Sequence, residues 1–393
     1  MAFGISVYPD IESMDEIREY FALAAKYGAT KAFSSMFSVE GTKEEVLAYF
    51  KELIDEAHKV NIRVSLDVNP ECFKRMDATF DDLSVFKSIN VDILRMDLSF
   101  GLENDIKLLN NAYGIEIELN AGIIDPKVYI DAGVDPKKIH LCHNFFPQKY
   151  TAMRMDKFIS TNKMIKSASR DVTIGAFISS NNKNTHGVWG AINGLPTVEM
   201  TRNLPIDLQA RMLLATKDVD DVLIGNAFAS EEEFKALQEV FAVKDMQEEA
   251  KTNAFLKLFL DYGILDTKTV LATKFRVEEE KDNSQDEHDL LFNFYPHLMA
   301  DSSEWLAHSR LSRFKYSKPE YSIKPKAITS KTFNRGDVVV VNDNYKHYCG
   351  EMQIVLDTIE NDGTRNLVAK ITGDELKLLD LLEGQCIVEF IKK

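Results

Sequence analysis

Four short apolar runs in the first 150 residues each change to polar residues at their C-terminal end, at intervals that suit one strand plus one helix. The polar end residues are Asp67, Asp97, Asn120 and His143. They lie 30, 23 and 23 positions apart (97−67, 120−97 and 143−120). Successive strand–helix units force the strands to run parallel, and a closed parallel sheet gathers all its strand ends on one face. The pattern therefore predicts an enzyme site at the mouth of a barrel.

Four further apolar runs extend this pattern to eight strand–helix units. They begin at Phe3, Lys31, Val172 and Asp221. Ser13 with Glu16, and Thr42 with Glu45, have the capping-box spacing that starts the first two helices. Eight strands alternating with helices favour an α/β fold of the (β/α)8 TIM-barrel type over an open doubly wound sheet. The absence of G-x-G-x-x-G after the first strand also argues against a dinucleotide-binding fold.

The chain is longer than one barrel requires. About 250 residues suffice for a (β/α)8 barrel, and this chain has 393. Its composition becomes polar after Val243, and from Lys331 onward short strand-like runs are joined by a turn signal at residues 360–363. We therefore predict a barrel domain over residues 1–245 and a small β-rich domain, itself a compact barrel, over residues 246–393. The charged segment from Lys274 to Asp289 is predicted to be irregular.

Charge and apolar content limit the possible partners. The net charge is −15 and no basic stripe with interleaved aromatic residues is present, which argues against nucleic acid as a partner. No apolar run reaches about 18 residues and the N-terminus leads directly into a strand, so we expect neither a membrane span nor a signal peptide. The four cysteines are scattered, as in proteins of a reducing compartment. The chain is therefore predicted to be cytoplasmic, and its oligomeric state stays open.

Strand parity predicts which polar side chains enter the barrel. In residues 115–120, isoleucine and leucine alternate with Glu116, Glu118 and Asn120. Helices cover the outer face of a parallel barrel, so the polar set must point inward. By the same argument we predict that five further side chains point inward: Arg63, Asp67, Asn69, Arg95 and Asp97. Arg63 and Glu116, early in their strands, are expected to form a salt-bridge layer at the barrel floor. We expect Asp97, Glu118 and Asn120 at the mouth.

The sixth and seventh strand-to-helix loops carry further polar and aromatic residues. His143 and Asn144 open the sixth loop, and parity leaves open whether His143 or its neighbours point inward. Tyr150, later in the same loop, is suited to a sugar-binding pocket. The seventh loop holds Trp189 between two glycines and has the composition of a lid over the mouth.

Several motifs together carry a resemblance to a known family. They are GISVYPD at the start, LDVNP, LRMDLSFG, ELNAG, HNFFPQKYT, GLPTVEMTR, NRGDVVVVN and YCGEMQIVL. In this order they resemble the bacterial 6-phospho-N-acetylmuramidase family along nearly the whole chain. The resemblance implies a TIM barrel followed by a cyclophilin-like β domain. It also implies a cytosolic glycoside hydrolase that splits the linkage between N-acetylmuramic acid 6-phosphate and N-acetylglucosamine during cell-wall recycling.

Glycoside hydrolysis needs two carboxyl groups, one protonated and one ionised. Asp97 at the end of strand four and Glu199 beyond strand seven approach the mouth from opposite sides. They form the predicted catalytic pair, by analogy with other barrel glycosidases. Asp67 and Glu118 are the reserve candidates. No ligand pair with helix spacing, such as H-x-x-x-H, is present, so we expect neither a metal ion nor a cofactor.

A phosphorylated amino sugar is the expected small-molecule partner, and its polar groups need matching residues. Candidate substrate-binding residues at the mouth are Asn69, Arg95, Asn120, His143, Asn144, Tyr150 and Arg202. A phosphate needs cations or backbone N–H groups. Gly225 and Asn226, after strand eight, are candidate N–H donors, and Arg310 and Arg313 are candidate cations. Glu199 and Arg202 also have the i,i+3 spacing of an ordinary ion pair.

Two other functions fit the same residues. A metal-dependent sugar-phosphate isomerase or lyase would need a cluster of carboxylate and imidazole ligands, which Asp67, Asp97, Glu118 and His143 could supply. A non-enzymatic carbohydrate-binding protein of the cell surface would need an export signal instead of a catalytic pair. Metal dependence of activity separates the first alternative from a carboxylate glycosidase, and turnover separates the second.

Overall fold

The computed structural model divides the chain into two compact units, Met1–Phe241 and Ala242–Lys393. The described residues are 2–36, 39–243, 248, 250–251, 254–261, 272–299, 302–316, 318–382 and 386–393. The boundary predicted at residues 245 and 246 lies outside them. Within this described part of the chain, every helix is too short or too polar to cross a membrane.

Eight parallel strands of the first unit close into a barrel in chain order, with β8 pairing back to β1. The strands are β1 Ala2–Ser6, β2 Ala29–Ser35, β3 Arg63–Val68, β4 Ile93–Met96, β5 Glu116–Asn120, β6 His140–Cys142, β7 Thr173–Ile178 and β8 Asp221–Ile224. The prediction of a TIM barrel is confirmed. Its strand ends form one face, where the polar end residues were expected to meet.

Helices follow the strands and cover the outside of the barrel. They are α1 Met14–Lys26, α2 Lys43–Lys59, α3 Pro70–Arg75, α4 Ser84–Ser88, α5 Leu102–Leu109, α6 Pro126–Asp131, α7 Met155–Ala168, α8 Ile206–Ala215 and α9 Glu231–Phe241. The predicted capping boxes start α1 at Ser13 and α2 at Thr42. On α1, the stripe of Ile17, Phe21 and Ala24 is fully buried in the barrel core. Burying one Ile or Phe side chain contributes about 1.5–3 kcal/mol.

The barrel interior is charged at its floor and aromatic further up. At the floor, Arg63 and Glu116 form the predicted salt bridge, with Nη2 2.9 Å from Oε1. Tyr8, Phe33 and Phe177 belong to a buried apolar cluster that is separate from the layer between strands and helices. This cluster gives the residues at the mouth a rigid apolar base.

Seven strands of the second unit form a separate closed barrel, which confirms the predicted β-rich domain. In spatial order they are His297–Met299, Leu306–Ser309, Met352–Val355, Asp337–Val341, Arg365–Lys370, Thr273–Glu279 and Cys386–Lys392. Thr332–Phe333 and Ile359–Glu360 pair in a small sheet of their own. Helices of this unit span Ala254–Asp261, Gln285–Phe292, Arg313–Tyr316 and Leu376–Leu379.

The segment from Lys274 to Asp289 was predicted to be irregular, and that prediction was wrong. A strand, Thr273–Glu279, and a helix that begins at Gln285 occupy most of it. Phe275 and Val277 are buried and alternate with charged residues. Long charged side chains can cover apolar surface with their stems, so a charged composition concealed the two-residue period of a strand.

Candidate active site

Arg95 is the centre of the polar cluster inside the barrel. It lies on β4 beside Asp67 of β3 in the strand register, and only 4% of its side chain is exposed. Its Nη1 donates to Asp67 Oδ1 at 2.7 Å, and its Nη2 donates to Asn144 Oδ1 in the sixth loop. Burial opposes the charge of Arg95, but the carboxylates of Asp67 and Glu118 outweigh burial and raise its pKa. Arg95 therefore stays charged and holds Asp67 and Asn144 in place.

Asp67 and Asp97 are two carboxyl groups in different surroundings. Asp67 is buried, and burial raises its pKa to about 6 although Arg95 opposes the shift. Asp97 keeps 40% of its side chain exposed. Arg95 Nη1 lies 2.7 Å from Asp67 Oδ1 and 4.0 Å from Asp97 Oδ1, so these oxygens are at most 6.7 Å apart, the sum of the two distances. The site thus pairs a buried carboxyl, whose raised pKa brings its titration towards neutral pH, with one that is open to solvent.

Glu118 lies on the side of Arg95 that faces the barrel floor. Its Oε1 is 3.8 Å from Arg95 Nε, and its Oε2 accepts a hydrogen bond from Lys31, which also lies 3.6 Å from Asp221. Burial alone would raise the pKa of Glu118, but Lys31 and then Arg95 outweigh burial and lower it. Glu118 was expected at the mouth, but it lines a cavity at the floor of the barrel and not the cavity at the mouth, because it lies beside His140 at the start of β6. These contacts give Glu118 a role in holding Arg95.

A cavity of about 220 Å³ opens at the mouth. Asp67, Asp97, Arg95 and Asn144 line it on the polar side, so four of the predicted site residues come together. Its apolar wall consists of Phe33, Phe145, Pro147, Val188 and Trp189. The rings of Phe33 and Phe145 meet nearly at right angles, with centroids 5.8 Å apart. Carboxyl and amide groups facing aromatic rings are the lining that a sugar ring needs, with hydroxyl edges and apolar faces.

Phe33 and Ser35 line this cavity but were missed as site residues. Both share the parity of Lys31 on β2, which is the inward parity. The same alternation that identified Asp67 and Arg95 was therefore present in the sequence. An apolar or hydroxyl side chain at a strand end does not indicate chemistry as a charged side chain does, so the alternation alone does not mark these two residues as site residues.

Glu199 is fully engaged in hydrogen bonds. Arg202 donates from Nε to Oε1 at 2.8 Å and from Nη2 to Oε2 at 2.6 Å. The backbone N–H groups of Tyr150 and Ala152 donate to the same carboxylate at 2.8 and 2.9 Å. The hydrogen bonds from Arg202 are the main reason that the pKa of Glu199 falls to about 2. A carboxylate with four donors and a low pKa is suited to organising loops, and these contacts favour that role over the predicted catalytic one.

Arg202 is a buried link between the sixth and seventh loops and not a surface residue open to substrate. Besides Glu199, its guanidinium donates to four backbone carbonyls at 3.0–3.1 Å. These carbonyls belong to Phe146, Gln148, Asn193 and Gly194. The predicted i,i+3 ion pair is present, and it fixes both loops. Tyr150, held through its backbone, has an exposed side chain.

His143 points away from the mouth, towards α7. Its Nε2 lies 2.7 Å from Asn162 Oδ1, and its ring centroid is 4.8 Å from that of Phe158. Burial lowers the pKa of His143 to about 4. The neighbouring Asn144 is the residue that faces the cavity, which resolves the parity left open by the sequence. His143 therefore joins neither a substrate site nor the metal cluster considered above, and the described residues contain no group of three or more side chains placed to hold a metal ion.

Asn69 and Asn120 have local structural roles. Asn69 Oδ1 caps α3 by accepting the N–H of Cys72 at 2.9 Å. Asn120 Oδ1 accepts the N–H of Gly122 at 2.9 Å, and its Nδ2 donates to the backbone carbonyl of Asp97 at 3.4 Å. Both amides shape the turns that follow their strands, so they are weaker candidates for substrate contact than Asn144.

The predicted phosphate site after β8 finds no support. The N–H of Gly225 donates to Ile178 O at 2.8 Å, as part of the barrel. The side chain of Asn226 bonds to both backbone groups of Ser180, at 2.8 and 2.9 Å. A Cβ atom on Gly225 would lie 2.6 Å from Leu195 O, so this glycine lets the seventh loop pack against the strand end. The N–H of Gly225 therefore already has a partner within the barrel, and the role of the Asn226 N–H as a phosphate donor stays a prediction.

Arg310 and Arg313 lie in the second unit. Arg313 Nη1 is 3.2 Å from Glu351 Oε2, and its guanidinium lies 4.1 Å from the ring centroid of Tyr348. Arg310 is exposed just after the strand Leu306–Ser309. Their proposed role as phosphate ligands stays a prediction.

The family models that match this chain cover both units. One, described as "6-phospho-N-acetylmuramidase, N-terminal", matches residues 3–239, and another, described as "6-phospho-N-acetylmuramidase, C-terminal", matches residues 273–391. No curated protein sequence matches the chain.

Two solved structures are similar over the full length. An uncharacterized protein of B. cereus is 30% identical, with a TM-score of 0.80, and the match covers 100% of this chain and 99% of that one. A conserved protein of unknown function from Enterococcus faecalis is 20% identical, with a TM-score of 0.62 and coverage of 100% and 97%. The second likeness concerns the fold alone.

Proposed function

Because the chain belongs to the 6-phospho-N-acetylmuramidase family and is a glycosidase, we propose that it hydrolyses the linkage between N-acetylmuramic acid 6-phosphate and N-acetylglucosamine in the recycling of cell-wall sugars. The observation that carries this proposal is the pair of carboxyl groups around Arg95. One is buried with a raised pKa and the other is open to solvent, across a cavity with an aromatic wall. A general acid and an ionised partner are the two groups that glycoside hydrolysis requires.

Asp67 is proposed as the general acid and Asp97 as the nucleophile. Asp67 gives its proton to the oxygen of the scissile bond, which leaves as a hydroxyl group, while an Asp97 oxygen bonds to the anomeric carbon. Water then displaces Asp97 from that carbon and gives a proton to Asp67, so both groups return to their starting state. Retaining enzymes hold their carboxyl groups about 5–5.5 Å apart and inverting enzymes about 6.5–9.5 Å apart. The upper limit of 6.7 Å between the measured oxygens favours retention.

The coupling between the two aspartates suits this sequence of steps. After burial, which is the main cause, the negative charge of Asp97 also raises the pKa of Asp67. That charge is lost when Asp97 forms its bond to the sugar. The pKa of Asp67 then falls, and the ionised Asp67 becomes the base that the attacking water needs.

The substrate proposal predicts a strict preference for phosphorylated sugar. The protein should release N-acetylglucosamine from the 6-phosphorylated disaccharide and turn over the unphosphorylated disaccharide at least about a hundredfold more slowly, since several charge-assisted hydrogen bonds to phosphate would be lost. Product release from the two disaccharides, measured side by side, checks this. The Asp97→Asn variant serves as the control for background hydrolysis. Equal turnover of both disaccharides would remove the phosphate requirement.

The assignment of Asp67 predicts an alkaline limb in the pH profile. Because Asp67 must hold its proton, kcat/KM should fall as pH rises above about 6. Phosphate on the substrate titrates in the same range, so the decisive observation is a comparison of variants. Glu118→Gln removes a negative charge that helps to raise the pKa of Asp67, and it should move the limb to lower pH. Lys31 keeps Asp221 as a partner in that variant.

Glu116→Gln is the matched control for the pH experiment, because Glu116 pairs with Arg63 at the barrel floor and is not among the main causes that shift the pKa of Asp67. The fall of kcat/KM with rising pH in Glu116→Gln should coincide with that of the unchanged protein. If the Glu118→Gln profile also coincides, Asp67 does not set the limb.

A further inference from the structure

We propose that the indole of Trp189 is a preorganised platform for the sugar ring that carries the scissile bond. This inference rests on the proposed function and names the residue that holds the ring against the two carboxyl groups. Trp189 lies at the tip of the seventh loop, and it lines the same cavity as Asp67 and Asp97.

Packing within the protein does not explain why the side chain of Trp189 is exposed. Its side chain is 75% exposed, whereas the preceding Val188 is buried with the aromatic cluster of the barrel interior. Tryptophan has the largest apolar surface of any side chain, so leaving it in water forgoes a large hydrophobic stabilisation. A large aromatic ring that is exposed at a cavity is typical of a residue that buries its surface only when a ligand binds.

The backbone at Trp189 is held in a conformation that bulky residues rarely adopt. Its φ is 57° and its ψ is 27°, in the left-handed region, where a bulky non-glycine residue is an outlier. Such conformations persist where the surroundings over-determine them, and they cluster at ligand sites. At this tip, Gly187 N donates to Ala191 O at 2.8 Å and Gly190 N donates to Gly187 O at 3.0 Å. The turn is closed on itself, and the indole at its tip is exposed at the cavity.

Both ends of the seventh loop are fixed to the barrel, so the tip has a defined position. Before the tip, His186 Nε2 lies 2.9 Å from Glu12 Oε1, and the carbonyl of His186 accepts the N–H of Ala227 at 2.8 Å. After the tip, Leu195 is buried and its N–H donates to Ser179 Oγ at 2.6 Å. A platform on a fixed loop costs little conformational entropy when the ligand binds.

The chemistry of a pyranose ring matches this arrangement. One face of the ring presents C–H groups, which pack on the negative face of an aromatic ring, while its edges carry the hydroxyl and acetamido groups. In the cavity, Asp67, Asp97 and Asn144 supply partners for those edges. Trp189 supplies the apolar surface, so the sugar ring would lie on the indole with its anomeric carbon towards the carboxyl groups.

The test uses the two tryptophans of the chain, Trp189 and Trp305. In the Trp305→Phe variant of the full chain, Trp189 is the single indole fluorophore. We expect its emission to change saturably when N-acetylmuramic acid 6-phosphate is added. In the Trp189→Phe variant, where Trp305 remains, the same titration should leave the emission unchanged.

Kinetics give the second readout. Trp189→Ala should raise KM for the phosphorylated disaccharide about tenfold, because an aromatic contact is worth roughly 1.4 kcal/mol including its buried area. Trp189→Phe, which keeps an aromatic face, should raise it less. Ile192→Ala is the matched control, since Ile192 is an apolar residue of the same loop, is 80% exposed and does not line the cavity. Its KM should stay unchanged.

Two failures are distinguishable. If the unchanged protein hydrolyses the phosphorylated disaccharide but Trp189 shows neither a fluorescence change nor an effect on KM, the platform is refuted and the proposed function stands. If the unchanged protein does not hydrolyse that disaccharide, the proposed function is refuted and the platform with it. A saturable emission change together with the raised KM supports both.

Discussion

Replacing Asp97 by Asn should lower kcat on the order of 10³-fold, and Asp67→Asn should have an effect of similar size. Asp97→Asn removes the proposed nucleophile, and Asp67→Asn removes the proton that the leaving group needs. Both amides have nearly the shape of the carboxyl groups they replace, so the fold should be retained. Asp67→Asn should lower stability more than Asp97→Asn, because it weakens the buried contact with Arg95. Steady-state kinetics on the phosphorylated disaccharide, with circular dichroism to confirm folding, checks the expectation.

Glu199→Gln is the informative comparison for these two variants. Because Glu199 binds Arg202 and two backbone N–H groups, its replacement should disturb the sixth and seventh loops and act on KM more than on kcat. The nucleophile assignment has a further check, since azide should restore turnover in Asp97→Gly by taking the place of the missing carboxylate. Near-normal kcat in Asp97→Asn together with a collapse in Glu199→Gln would return Glu199 to the catalytic pair.

Removing the guanidinium of Arg95 should reduce stability more than any other single charge deletion in the barrel interior. Arg95→Leu leaves Asp67 and Glu118 buried with one partner fewer, and breaking a buried ion pair costs about 3–5 kcal/mol. The free energy of unfolding, from urea denaturation of the full chain, measures this loss. Activity should fall as well, because Arg95 also positions Asn144 at the cavity.

Arg63→Leu is the matched control for the stability experiment. Arg63 on β3 also lies in a barrel ion pair, with Glu116 on β5, but its side chain is 48% exposed and that of Glu116 is 41% exposed. Exposed pairs contribute about 0–1 kcal/mol. The double variant Arg95→Leu with Asp67→Leu should recover part of the loss, since it leaves fewer uncompensated charges. Equal costs for Arg95→Leu and Arg63→Leu would contradict the central role of Arg95.

The barrel fold could be predicted from the sequence because the patterns that indicate its strands and helices are local. Capping boxes at Ser13 and Thr42 involve residues three positions apart, and the alternation along a strand needs only four or five residues to become visible. Parity placed Asp67 and Arg95 in the interior for the same reason. Their pairing follows from the neighbouring positions of β3 and β4.

The role of a side chain could not be predicted from the sequence where its partners are distant along the chain. Strand β6 has three residues, too few to show which side chains alternate inward. His143 points outward because it bonds to Asn162 and packs against Phe158, both on α7. Gly225 looked suited to phosphate, yet its N–H is used by Ile178, which lies on the neighbouring strand. Such partners are fixed by the closed barrel and have no sequence spacing of their own. The cyclophilin-like character of the second domain stays a prediction.

The contacts of Arg202 have a consequence for local unfolding. One buried guanidinium satisfies acceptors on both the sixth and the seventh loop, and its carboxylate partner holds the backbone of the sixth. Opening either loop alone would strand a buried charge and several polar groups, so the two loops open together or not at all. The two loops are therefore coupled through one side chain, and a change that frees one of them from Arg202 should loosen the other as well.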